Sequence, residues 1–494
     1  MSYLGIDVGT YQTKGVVVDR DGRVLAEAAR DHDMLVPEPG WAEHDPEGVW
    51  WGDVVAVTRD LLAEVGPATI RAVAPSAIGP CLLAVDERGD PIGPGILYGV
   101  DTRATAEVEE LTQRIGADTI LRRCGNALTS QSTGPKLLWL KRHMPDVFER
   151  AACFHTATSF VVERLTGARV MDHYTAPNLA PLYDADARAF SDALAPDIVD
   201  LARLPRLLWS TQIAGRTTAR AAAATGLPEG TPVLAGTIDA VAEAVSVGVL
   251  APGQMMVMMG STIFIIMPTE ARAADERLWY APWLFEGQHA ALAGLATSGT
   301  LTHWLRERMM PEMDRAAAFG TMAREAEASP PGANGLVVLP YFSGERTPIH
   351  DPHAKGTIFG LDLTHTRGDI IRATLEGVAL GTAHAIEAFG EAGAPPRELV
   401  AVGGGTRNAV WLQATGDATG LSLTIRRRTT GAAFGDTLLA AIALGEAQPA
   451  DIDRWNPVER VVEPRAEHIA LYGERLDVFK ALYRQTRDLM RRLN

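Results

Sequence analysis

Apolar positions along this chain fall into short runs broken by small-residue turns, alternating with longer stretches of helical spacing. Residues 3–8 (YLGIDV) and 15–19 (GVVVD) lie on either side of a Gly-Thr turn, and a second turn at Asp21-Gly22 leads into Val24-Leu25. This predicts an opening antiparallel meander. The pattern returns at 255–267, where MMVMM and IFIIM flank Gly260-Ser261-Thr262. A strand, a small-residue turn and a strand at the start of each half predict an architectural duplication, and therefore two related domains with a cleft between them. Apolar residues spaced near 3.6 predict helices at 46–65, 102–115, 135–142 and 156–166, with a strand at 81–86. The polar, proline-dotted stretch 168–232 reads as irregular, with one helix near 215–225. A strand at 233–236 and a helix from Asp239 or Ala240 to Val247 follow, and Pro252-Gly253 then marks a hinge. In the second half, helices at 298–308, 312–327, 367–390, 408–419 and 431–444 alternate with strands at 290–295, 335–339, 399–402 and 421–426. Such alternation predicts an α/β class. The expected division is 1–248, 249–447 and a helical packing appendage at 448–494.

Composition narrows the function classes. The chain has 494 residues, 46 Lys+Arg against 61 Asp+Glu, and a formal charge of −15. A nucleic-acid binder relies on basic side chains that neutralise phosphates, so no nucleic-acid partner is expected. Any anionic ligand must be held by local donors, which directs attention to glycine turns and helix N-termini. The three cysteines, Cys81, Cys124 and Cys153, are too widely spaced for a disulfide framework, and the N-terminus lacks a basic and then apolar secretory pattern. No apolar run reaches the ~20 residues that span a bilayer. A cytoplasmic protein without a membrane partner is expected.

Four turns concentrate usable chemistry. Asp7 ends an apolar strand, and Gly9-Thr10-Tyr11-Gln12-Thr13-Lys14 supplies amides, hydroxyls and an ammonium within six residues. A metal-bound polyphosphate needs that mixture, although an ordinary hairpin has the same outline. Gly260-Ser261-Thr262 repeats the theme without a carboxylate; its plainer reading is a β-hairpin. Gly403-Gly404-Gly405-Thr406-Arg407-Asn408 follows a strand and opens a helix, which favours a nucleotide contact over a dinucleotide fingerprint. Asp239 ends Gly236-Thr237-Ile238 and opens an alanine-rich helix. It is either an N-cap or a carboxylate able to accept the proton of an attacking hydroxyl. The histidines lack metal-ligand spacing, and His143, His155, His173 and the pair His350/His353 read as surface or loop residues.

Taken together, GIDVGTYQTKG at the N-terminus, GTIDAVAEAVSVG (236–248), MMGSTIFI (258–265), GTIFGLDLTHTRGDIIRATLEG (356–377) and VAVGGGTRNAVWLQATGDATG (400–420) resemble the FGGY carbohydrate kinases in content and order. Within that family, PGWAEHDPEGVWW (39–51), PKLLWLKRH (135–143) and PYFSGERTPIHDPHAKG (340–356) resemble the xylulokinase branch. The resemblance implies two ribonuclease H-like domains of the actin-type ATPase fold, sugar bound mostly by the first and ATP by the second. By matched position, Asp7, Thr10, Thr13 and Lys14 would face Mg2+ and phosphates. Asp239 would be the catalytic base and lie at the metal. Gly260, Ser261 and Thr262 would cradle the terminal phosphates, Gly299 and His303 would flank the nucleotide, and Gly404, Gly405 and Asn408 would border its ribose and adenine.

Two departures bear on the sugar. Where xylulokinases usually carry G-Q-M-H-G, this chain has Ala77-Ile78-Gly79-Pro80-Cys81, and the usual W-N-D-x-R becomes Tyr98-Gly99-Val100-Asp101-Thr102-Arg103. Asp101 and Arg103 remain, and Asp101, Arg103, Tyr98 and Gln131 are the expected sugar-binding residues. The leading expectation is ATP-dependent phosphorylation of D-xylulose to D-xylulose 5-phosphate. The same chemistry on ribulose, erythritol or glycerol is the nearest alternative, and an actin-like ATPase that regulates a protein partner is an alternative of another class. The resemblance allows a homodimer, although the sequence has no diagnostic interface.

Overall fold

The opening meander forms as the apolar runs and their turns predict. In the computed structural model, which describes residues 1–428 and 431–493, the strands Ser2–Val8, Gln12–Asp19 and Val24–Asp31 pair antiparallel in succession. Every residue of the first of them is buried. The chain forms two compact units, one built from Met1–Leu250, Tyr280–His289 and 431–457, the other from Ala251–Trp279, 290–428 and 458–493.

The sheet of the first unit continues from Ser2–Val8 into Ile70–Ala77, which runs parallel to it, and then into Pro232–Leu234 and Ile213–Arg216. The short strand Thr237–Ile238 also pairs parallel with Ile70–Ala77. Its register places Asp7 beside Ser76 and Ser76 beside Thr237, so three strand ends finish at one level. The helix Gly52–Val65 covers one face with Val54, Val57 and Leu61, and a π-helical turn over Pro46–Trp51 precedes it where a single helix from 46 is expected. The helix Ala432–Ala443, from far along the chain, covers the other. A Cβ on Gly5 would lie 1.9 Å from the Ala433 carbonyl oxygen, so only glycine lets strand and helix approach this closely.

Two sequence expectations need correction. The strand Ile70–Ala77 lies in a stretch for which no element is predicted. Almost all of its residues are buried, and it carries Pro75, so it lacks the alternation that marks a half-exposed strand. His155 is not a surface or loop residue: it ends the strand Cys153–His155 with a side chain fully shielded from solvent, its Nε2 2.6 Å from the Glu163 carboxylate. The apolar neighbourhood tolerates the imidazole because that carboxylate pairs with it.

The second unit repeats the plan. Gln254–Met259 and Ile263–Thr269 form an antiparallel pair, and Glu398–Val402 lies parallel to the first of them. The sheet extends through Leu423–Arg426 to Val458–Val462, which pairs antiparallel at the edge. The long helix Arg367–Glu391 begins with a capping box in which Thr366 and Asp369 satisfy each other's backbone groups. The C-terminal helix Ala466–Arg491 buries Tyr472, Leu476 and Phe479 in a cluster with Val337, Leu339 and Tyr341.

Glu345 of the SGERTP segment is buried here. Its Oε1 accepts the N–H groups of Ala296 and Arg346, each at 2.7 Å, while Oε2 has no hydrogen-bond partner among the described residues. Burial outweighs those two donors and pushes its pKa from 4.5 up to about 7. The folded state therefore retains a proton that the unfolded chain has lost, and this contribution to stability falls as pH rises from 4.5 to about 7. Glu345→Gln mimics the protonated form at every pH. Its melting temperature is expected to match the parent near pH 4 and to exceed it at pH 8, as differential scanning fluorimetry across pH would read.

Candidate active site

In the first unit, acidic side chains collect at the strand ends that the register aligns. Asp7 is buried at the end of Ser2–Val8, directly across from Lys14 on the neighbouring strand. Asp239 occupies the first position of the helix Asp239–Ser246, with Ile238 as the N-cap, and its Oδ1 accepts the Ala240 N–H at 2.7 Å. One turn further along that helix is Glu243. Asp436, fully buried on Ala432–Ala443, accepts the Ser76 hydroxyl at 2.6 Å. Asp7 Oδ1 and Asp436 Oδ1 have no hydrogen-bond partner among the described residues.

Electrostatics follows from this crowding. Burial, and after it the Asp239 carboxylate, raises the Asp7 pKa well above the ordinary value, while Lys14 opposes the rise. Burial lifts Asp239 to about 6 against the pull of the Ala240 N–H. It lifts Glu243 to about 7, with Lys14 again opposing. Asp436 is raised for the same reason, and Asp7 and Asp239 add to the effect. Excess negative charge held out of water is the setting that a bound cation relieves. Among the described residues, no three His, Cys, Asp or Glu side chains converge closely enough to hold a metal ion by themselves.

The turn after Asp7 is closed by a hydrogen bond from Gly9 N–H to the Gln12 carbonyl at 3.0 Å. Thr10 and Tyr98 hydroxyls lie 3.3 Å apart, which ties the turn to the 98–103 loop. Thr13 donates to Asp53 at 3.2 Å. In that loop, Asp101 is fully covered and forms a bidentate ion pair with Arg103, and its Oδ2 also accepts the Ala42 N–H at 2.7 Å. Arg103 reaches Glu43 at 2.8 Å and lies over the Trp41 ring at 4.1 Å. Gln131 accepts the Gly99 N–H at 3.1 Å. Sequence reasoning missed Lys136, whose buried ammonium donates to the carbonyls of Leu97 and Tyr98 at 2.5 and 2.8 Å. Burial lowers its pKa to about 8. PKLLWLKRH (135–143) carries this lysine, but nothing in the local pattern distinguishes it from a solvated one. Glu243 and Asp436 were missed for the same reason.

The second unit holds a pocket of about 620 Å3. Gly260, Ser261, Gly299, His303, Gly404, Gly405 and Asn408, all expected nucleotide contacts, line it together; Thr262 is not among the lining residues. The Gly260 N–H donates to the Thr262 carbonyl at 3.1 Å and closes the hairpin turn. The Gly299 N–H donates to the Gly260 carbonyl at 3.0 Å, and a Cβ on Gly299 would stand 2.4 Å from that oxygen. Asn408 caps the helix Ala409–Thr419 by accepting the Trp411 N–H at 3.0 Å. Phe319, Met322, Ile371, Leu375 and Trp411 supply apolar walls, with His303 edge-on to Phe319 at 5.2 Å. A mostly apolar pocket bordered by glycine turns and a helix start suits a planar base with attached phosphates.

Models of the N-terminal and C-terminal domains of the FGGY family of carbohydrate kinases match residues 2–246 and 255–444. The chain belongs to that family. The kinase is 30% identical to a xylulose kinase of Escherichia coli (strain K12), over 99% of this chain and 100% of the relative. It is 29% identical to a glycerol kinase of Citrifermentans bemidjiense, over 94% of this chain and 95% of the relative. Its fold superposes on the crystal structure of a xylulose kinase from Rhodospirillum rubrum with a TM-score of 0.94, at 30% identity over 99% of this chain and 100% of that one. The enzyme is therefore a sugar phosphotransferase with the two-domain FGGY fold, and the actin-like ATPase that regulates a protein partner is set aside. Among the described residues, no helix is long and apolar enough to cross a membrane.

Proposed function

We propose that the kinase transfers the γ-phosphate of ATP to a primary hydroxyl of D-xylulose. The full-length similarity to xylulose kinases, in sequence and in fold, carries this choice of acceptor. Asp239 accepts the hydroxyl proton as the oxygen attacks phosphorus in line, a role open to a carboxylate kept from complete solvation. Thr10 and Lys14 donate to the phosphates, while Thr13, buried and donating its hydroxyl to Asp53, braces the turn from behind. The turn at Gly260-Ser261-Thr262 and the pocket walls at Gly299, His303, Gly404, Gly405 and Asn408 hold the nucleotide. Asp7, with its unpartnered oxygen, and Asp239 would hold magnesium, which when bound neutralises charge on the phosphate oxygens. Tyr98, Asp101, Arg103 and Gln131 shape the sugar side, with Lys136 holding their loop from beneath.

A second reading, a short polyol as acceptor, rests on the glycerol kinase relative and on the altered 77–81 stretch. A coupled ADP-release assay over D-xylulose, ribulose, erythritol and glycerol separates the two. The kcat/KM for D-xylulose is expected to exceed that for each other acceptor by at least about tenfold, the scale of one buried polar group left unpaired. A higher kcat/KM for any of the others overturns the choice of sugar.

A further inference from the structure

Behind the Gly9-Thr10 turn lies a pair of histidines whose hydrogen bonds fix their protonation. His32 directly follows the strand Val24–Asp31, and its side chain is 5% exposed. Its Nε2 is 3.0 Å from the Gly9 carbonyl oxygen and its Nδ1 is 2.8 Å from Asp53 Oδ2. A carbonyl and a carboxylate only accept, so both ring nitrogens must carry a proton for both bonds to form. His44, on the strand Glu43–His44, stands edge-on to His32 with centroids 5.1 Å apart. Its Nε2 is 3.1 Å from the Thr10 carbonyl oxygen, while its Nδ1 accepts the Trp50 indole N–H at 3.0 Å. That combination requires a neutral ring with its proton on Nε2. Burial, and then the neighbouring His32, pushes the His44 pKa down to about 4, in keeping with a neutral ring.

The two rings therefore draw successive carbonyls of the turn toward the interior. In a trans peptide the N–H points opposite to the C=O of the same plane. Holding the Gly9 and Thr10 carbonyls back consequently turns the Thr10 and Tyr11 amides the other way.

We propose that His32 and His44 are positioning residues for phosphoryl transfer: an imidazolium paired with Asp53 and a neutral imidazole braced by Trp50 together aim the amides of the turn at the nucleotide phosphates. The proposal rests on reading Gly9–Lys14 as a phosphate-binding turn. It gives a role to His44 of PGWAEHDPEGVWW (39–51), which Trp50, packed in the core of the first unit, holds in place. The imidazolium also adds a positive charge behind a site crowded with carboxylates.

The test compares His32→Gln, His44→Gln and, as a reference, Gly9→Ala, whose Cβ would meet the Gln12 carbonyl oxygen at 2.9 Å. Each histidine variant is expected to raise KM for ATP about tenfold or more, the scale of one charge-assisted or buried hydrogen bond, with KM for the sugar within about twofold. A purely structural role would lower the melting temperature and leave the ratio of the two KM values unchanged; that result overturns the proposal. Selective 15N-histidine labelling of the wild-type enzyme is expected to show one ring protonated on both nitrogens, whose signal disappears in His32→Gln. Absence of such a ring also overturns the proposal. If Gly9→Ala raises KM for ATP while neither histidine variant does, this inference alone falls. If Gly9→Ala leaves KM for ATP unchanged, the phosphate-binding reading of the turn falls with it.

Discussion

Asp239→Asn is expected to lower the turnover of sugar phosphorylation at least ~100-fold, the ordinary scale for loss of a positioned general base. Asparagine has the same size and keeps an oxygen for the Ala240 N–H, so the start of the helix Asp239–Ser246 should hold its shape. What disappears is the carboxylate proposed to take the hydroxyl proton. The charge lost is one that raises the Asp7 pKa by repulsion, and removing a like charge from a buried cluster relieves the fold. The variant should accordingly melt at or above the wild-type temperature while turning over slowly. Steady-state ADP release at saturating sugar, with a melting curve on the same preparation, measures both effects. Near-normal turnover would remove Asp239 from the role of base.

Arg103→Leu is expected to destabilise the first unit by about 3–5 kcal/mol, because it removes the cation from two buried carboxylates. Asp101 is fully covered, and Glu43 keeps 11% of its side chain exposed, so neither can recover its solvation in water. The guanidinium also lies over Trp41 at 4.1 Å and near Trp139 at 5.1 Å, contacts that leucine replaces only in part. Arg103→Lys keeps the charge but loses the two-pronged geometry and the stacked plane, and should fall between. Adding Asp101→Asn to Arg103→Leu should recover part of the loss, since one unpaired buried charge goes with it. Urea unfolding followed by tryptophan fluorescence reads the series. Equal stability of Arg103→Leu and wild type would show that the pair is dispensable to the fold.

Local chemistry made parts of this molecule readable in its sequence. Asp7 before a Gly-Thr turn, Gly260-Ser261-Thr262 between two apolar runs and the glycines before Asn408 announce exposed backbone donors at strand ends. Each lies where such a turn must be, because the short apolar runs on either side fix the strands. Seven of the residues expected around a nucleotide line one pocket for that reason. The strand Ile70–Ala77 was illegible because Arg71, Pro75 and Ser76 break the continuous apolar run that marks the equally buried Ser2–Val8, and Pro75 mimics a loop signal. Asp436 and Glu243 join the acidic group only through helix packing, and no short-range pattern reports which carboxylates will share a cavity. Asp101 was legible as important, but its bond to Arg103 two residues away was visible only in the folded loop.

The helix Ala432–Ala443 covers the strand Ser2–Val8 but is encoded more than four hundred positions after it. During synthesis, a ribosome that has released the first 250 residues has delivered most of one unit without the piece that shelters Gly5 and supplies Asp436. The leading strand and its neighbour Ile70–Ala77 must wait, apolar and uncovered, until nearly the whole message is translated, a state that invites aggregation. Chaperone dependence should therefore centre on the portion made first, and expressing residues 1–250 alone should yield insoluble material rather than half an enzyme.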